Sequence, residues 1–96
     1  LQKDTISKDI LKTIVKDIAK YILHFEIKNI ELLDMEFERV ESRRADIVAK
    51  VDNAFILHLE IQNDNHAQMH YRMLRYLVDI SLIAPNTDIK QYVIYI

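Results

Sequence analysis

The chain has 96 residues, half of them apolar, and a formal net charge of −2, which suits one small hydrophobic core but not two, and excludes holding nucleic acid by bulk electrostatics alone. It contains no cysteine and no glycine, so disulfide frameworks, thiolate metal sites and glycine-rich phosphate loops are excluded, and with them P-loop kinases and dinucleotide-binding enzymes. No apolar run approaches the roughly 18 residues that cross a bilayer and no signal-peptide pattern opens the chain, so a soluble cytoplasmic protein without a membrane partner is the expectation.

In residues 6–25, Ile10, Ile14, Val15, Ile18 and Ile22 recur at helical spacing while Lys12, Lys16 and Lys20 form a separate stripe, which predicts an amphipathic helix with a solvated lysine face. Asp4 or Ser7 can accept hydrogen bonds from its first amides. Residues 31–40, ELLDMEFERV, alternate loosely between acidic and apolar and predict a strand packed on one face only. The ESRR segment that follows is a charged loop in which Arg43 and Arg44 either steer a phosphate or balance the local acids.

Residues 44–62, RADIVAKVDNAFILHLEIQ, predict two strands folded antiparallel by a turn at Asp52 and Asn53, residue types that replace glycine there. Alternation places Asp46, Val48 and Lys50 on one face of the first strand, and Ile56, His58, Glu60 and Gln62 on one face of the second. A carboxylate on so apolar a strand loses several kcal/mol of hydration unless a cation, a hydrogen-bond network or a metal compensates it. The residues alone leave two accounts open: Asp46 and Glu60 converge on a cation, or Asp46 pairs with Arg44 and Glu60 with Lys50.

After an NDN breaker, residues 66–83 predict a second helix with a core stripe of Met69, Met73, Leu77 and Ile80, widened by Leu74, and with Arg75 and Asp79 at pairing distance. His66 and His70 are four apart, a spacing that can bind zinc but lacks a third ligand. The segment APNTD ends this helix. The apolar run 92–96 predicts a strand buried on both faces and parallel to the Glu60 strand, because a strand, helix, strand crossover returns in that sense. A start at Leu1 and an end within QYVIYI suggest one domain over 1–96 that is a piece of a longer protein.

The order α-β-β-β-α-β, a mixed central sheet flanked by helices, resembles the restriction-endonuclease-like core of the PD-(D/E)XK nuclease superfamily. Its motifs resemble still more the words of one branch, the bacterial recombination-promoting nuclease and putative transposase family. The likeness is carried by D-x-x-x-K at Asp4 to Lys8, LDMEF at Leu33 to Phe37, RRADIVAKV at Arg43 to Val51, HLEIQ at His58 to Gln62 and RMLRY at Arg72 to Tyr76. It implies a metal-dependent endodeoxyribonuclease linked to recombination or transposition, with Mg2+ as cofactor and Mn2+ as a substitute. Asp46, Glu60 and the backbone carbonyl of Ile61 would be metal ligands, and Asp46, Glu60 and Gln62 the catalytic group. Gln62 stands where most of the superfamily has lysine, so an amide can orient water there but brings no charge. Glu36 and His58 are expected beside the site, Arg43, Arg44, Arg72 and Arg75 on DNA, and Tyr76 in packing. A homodimer is expected on the ground that two symmetric cuts in duplex DNA need two copies. The rival is a DNA-binding or assembly module of the same fold that has lost the reaction.

Overall fold

The computed structural model describes residues 8–33, 44–62 and 68–95, excluding the side chains of Arg44 and Ala45. In chain order they form α1 (Lys8–Tyr21), β1 (Ile30–Leu32), β2 (Arg44–Val51), β3 (Phe55–Gln62), α2 (Met69–Ile83) and β4 (Asp88–Tyr95). The architecture is α/β, with a mixed sheet of spatial order β1-β2-β3-β4. The first two pairings are antiparallel, and β4 runs parallel to β3. No helix among the described residues is long and apolar enough to cross a membrane.

Alternation along the strands sorts the core into two layers. Ile47, Val51, Leu57 and Leu59 face α1 and pack with its Val15; Val48 and Ile56 face α2 and pack with its Ile80. In α1 the buried face is Val15 and Ala19, with Leu11 and Ile18 packed beside them. Ile10 and Ile22 of the expected stripe are exposed, because Ile10 lies on the far side of the helix from Val15 and Ile22 is past its end. The carbonyls of Ile18 and Ala19 accept from the amides of Leu23 and Phe25, closing the helix while His24 takes positive φ.

The β2–β3 hairpin turns on Asp52 and Asn53, both at positive φ, with the Ala54 amide donating to the Val51 carbonyl. The Asp52 carboxylate accepts from the amides of Lys28 and Asn29, tying the loop after α1 to this turn. Aspartate and asparagine tolerate the left-handed region because their short side chains bond locally, which is how the chain turns without glycine.

Three expectations need correction. The first strand is three residues long, and residues 34–43 lie outside the described part. Among the described residues β4 is the edge of the sheet with β3 as its one neighbour, and it is partly buried instead of buried on both faces; Ile96 is not among the described residues. In α2, Leu74 is exposed and Tyr76 is buried with Met69 and Ile80. Described helix begins at Met69, so the expected NDN cap and His66 fall outside the described residues.

Candidate functional site

The face of the sheet beneath α2 changes character along its length. Toward the hairpin turn it is apolar, with Val48 and Ile56 under Ile80. Toward the other end of β3 it becomes a polar row, His58, Glu60 and Gln62, each at most 4% exposed. The alternation that makes Leu57 and Leu59 core on one side thus buries three polar side chains on the other.

Register places the two acids together and bears on the Lys50–Glu60 pair of the second account; the Asp46–Arg44 pair falls on a side chain outside the described part. Asp46 stands directly opposite Glu60, Val48 opposite His58 and Arg44 opposite Gln62. Directly opposed residues on antiparallel strands have Cβ atoms about 5 Å apart, and like charges so placed repel. Lys50 is opposite Ile56 and Glu31, and it is exposed. It lies about 13 Å along the strand from Asp46, so a Lys50–Glu60 pair is not the arrangement formed. Arg44 opens β2 opposite Gln62, one pair beyond the acids, so it belongs to the strand and not to the loop before it.

A hydrogen-bond network from α2 and β4 surrounds the pair. Tyr76 donates its hydroxyl to Asp46 Oδ2 at 3.0 Å. Its ring lies edge-to-face on His58, centroids 4.8 Å apart. His58 Nδ1 is 3.1 Å from Gln91 Nε2, and the same amide nitrogen donates to the Met73 carbonyl at 2.9 Å. An amide nitrogen only donates, so the Met73 carbonyl fixes the orientation of Gln91 and His58 Nδ1 must accept. The imidazole is therefore neutral, with its proton on Nε2. Burial lowers its pKa from 6.5 to about 4, against a smaller upward pull from the Asp46 charge. Asp46 Oδ1, Glu60 Oε2 and His58 Nε2 are buried atoms that make no hydrogen bond, although each of the three residues has further interactions.

Asp46 is the partly exposed member of this group, whereas Glu60 is fully buried. Ile61 lies between Ala45 and Ile94 in the ladder, with its side chain on the α1 face. Arg72 is half-buried one turn before Tyr76; Arg75 is exposed. Glu36 and Arg43 lie outside the described residues. His70 is exposed on α2 with its ring against Tyr71. Among the described residues no group of three or more His, Cys, Asp or Glu side chains is placed to hold a metal ion. The two carboxylates still fit magnesium, which typically binds through one or two carboxylates and completes its shell with water and substrate phosphate.

Two residues of this network carry more than their sequence context indicates. Tyr76 looks like packing but bonds an acid, and Gln91 looks like the edge of an apolar strand. The signal for Gln91 is its place in register: a parallel β4 sets it beside His58. An open polar depression of about 290 Å3, lined by Lys50, Phe55, Asn86 and Asp88 among others, lies at the hairpin end. Phe55 is about 16 Å along β3 from Glu60, so this depression is separate from the acids. No protein-family model, curated protein or solved structure matches the chain.

Proposed function

We propose that this chain is the core of a metal-dependent nuclease that hydrolyses DNA phosphodiesters, with the restriction-endonuclease-like arrangement of the PD-(D/E)XK superfamily that its motifs resemble. The observation that carries the reading is the register: Asp46 directly opposite Glu60, with Gln62 two residues further on the same buried face. Asp46 and Glu60 would hold a magnesium ion, or manganese in its place, with the Ile61 carbonyl as a further donor. A cation bound there supplies charge neutralisation at the phosphate and acidifies a water molecule.

The chain's own residues do the rest. Tyr76 anchors the Asp46 carboxylate through Oδ2. The Gln62 amide can accept a hydrogen bond from the attacking water through its carbonyl and donate to a phosphate oxygen through its nitrogen, orienting both without adding charge. Arg43, Arg44, Arg72 and Arg75 would meet the DNA backbone; Arg72 lies one helical turn before Tyr76 on α2. His58, held neutral by Gln91, serves as a spacer that orients Tyr76.

A second reading, an inactive DNA-binding or assembly module of the same fold, is favoured by one observation: Gln62 puts a neutral amide where the superfamily's lysine provides charge. Plasmid nicking separates the two. Magnesium-dependent nicking that is lost in Asp46→Asn and in Glu60→Gln, with DNA binding retained, supports the nuclease. Binding without nicking under magnesium or manganese assigns the chain to the second reading.

A further inference from the structure

Three adjacent strands hold a single turn of α2 by polar side chains. From β4, Gln91 Nε2 donates to the Met73 carbonyl at 2.9 Å and lies 3.1 Å from His58 Nδ1 on β3, so both hydrogens of that nitrogen are committed. The His58 ring lies edge-to-face against Tyr76, and the Tyr76 hydroxyl reaches across to Asp46 on β2. Met73 and Tyr76 are three residues apart, so they are neighbours on one side of the helix. One turn later the contact is apolar, Ile80 on Val48 and Ile56. Apolar burial is non-directional, whereas a hydrogen bond fixes both a distance and a direction. The placement of the 73–76 turn is therefore set by its polar bonds, and Gln91 anchors it to β4.

We infer that Gln91 is a positioning residue for the cation site, an inference that rests on the proposed binding of a divalent ion by Asp46 and Glu60. Gln91 stands two strands across and two residues along from Asp46, a Cα separation of roughly 12 Å. Its amide is engaged by Met73 and His58, so its effect on the acids passes through the helix. Without that amide the turn loses its anchor to β4 and shifts on its apolar bed. Tyr76, three residues past Met73, then carries its hydroxyl away from Asp46 Oδ2. A magnesium ion demands near-ideal octahedral geometry at about 2.0–2.1 Å, so a carboxylate that loses its fixed orientation binds it less tightly. Linkage makes the effect reciprocal: an ion that fixes Asp46 favours the docked helix by the same factor by which the docked helix favours the ion.

The test is calorimetric titration of Mn2+ into the wild type, Gln91→Leu, Gln91→Met, Tyr76→Phe and the double variant carrying Gln91→Leu and Tyr76→Phe. Methionine keeps the unbranched length of glutamine without its donors, so it covers the case in which leucine disturbs the fold, and circular dichroism checks that each variant keeps its helices. Each Gln91 substitution is expected to weaken Mn2+ binding at least about fivefold, the low end of typical couplings between sites. In the Tyr76→Phe background Gln91→Leu should weaken it by less than about twofold further, because the hydroxyl through which it acts is already gone. Asp52→Ala, at the far end of the hairpin from the acids, is the control: it lowers stability and leaves Mn2+ affinity unchanged, so a general loss of stability does not imitate the effect. Gln91 variants that bind Mn2+ as tightly as the wild type overturn the inference and leave the cation site standing. A loss that persists undiminished in the Tyr76→Phe background overturns the route through the tyrosine. A wild type that binds no Mn2+ overturns the cation site itself, and this inference with it.

Discussion

Acidification perturbs the buried polar row through His58, and the structure sets both the sign and the size of the effect. The folded state holds this imidazole neutral, with a pKa near 4 in place of 6.5. Between those values the unfolded chain binds a proton that the folded chain refuses, so stability is fully present above about pH 6.5 and falls as pH drops toward 4. Two influences compete, since Asp46 favours the imidazolium while burial opposes it. Burial prevails, and the geometry explains why: Nδ1 faces an amide nitrogen whose orientation Met73 fixes, so a proton added there would meet another donor. From pH 7.5 to pH 5 the loss is about 2 kcal/mol. Urea denaturation at both pH values, with chelator present, measures it, and His58→Gln is the reference because glutamine can still accept from Gln91 but does not titrate. The carboxylates common to both proteins cancel in the difference. Wild type should lose about 2 kcal/mol more than the variant; an equal loss in both, or a wild type stabilised by acid, would refute the neutral-imidazole argument.

Removing the hydroxyl in Tyr76→Phe takes a hydrogen bond from a carboxylate and should cost about 1.5 kcal/mol in urea denaturation, with weaker Mn2+ affinity because Asp46 loses its anchor. Gln91→Leu strips a donor from His58 and from the Met73 carbonyl together and should cost about 2 kcal/mol by the same assay. At the hairpin turn, Asp52→Gly loses the bonds to the Lys28 and Asn29 amides but keeps the positive φ, whereas Asp52→Ala loses both. Thermal melts should therefore rank alanine below glycine by about 1 kcal/mol.

Much of the site was legible because it depends on strand alternation, a local property. Once Asp52 and Asn53 are read as a turn, the faces of β2 and β3 follow, and Asp46 meets Glu60 without further information. What could not be read depends on placement between elements. Apolar residues occur almost all round α2, so periodicity alone did not reveal that Tyr76 faces inward and Leu74 outward. The run YVIY looks buried on both sides until strand order among the described residues makes β4 an edge. The bond from Tyr76 to Asp46 and the Gln91 clamp on His58 join residues at least 30 positions apart in the chain, and no local pattern encodes them.

The central claim is that Asp46 and Glu60 form one cation site, and titration of Mn2+ into the wild type, Asp46→Asn and Glu60→Ala, followed by calorimetry, tests it most directly. The account predicts one site per chain in the wild type and loss of that binding in each variant. A wild type that binds no Mn2+, or variants that bind it as tightly as the wild type, would contradict it.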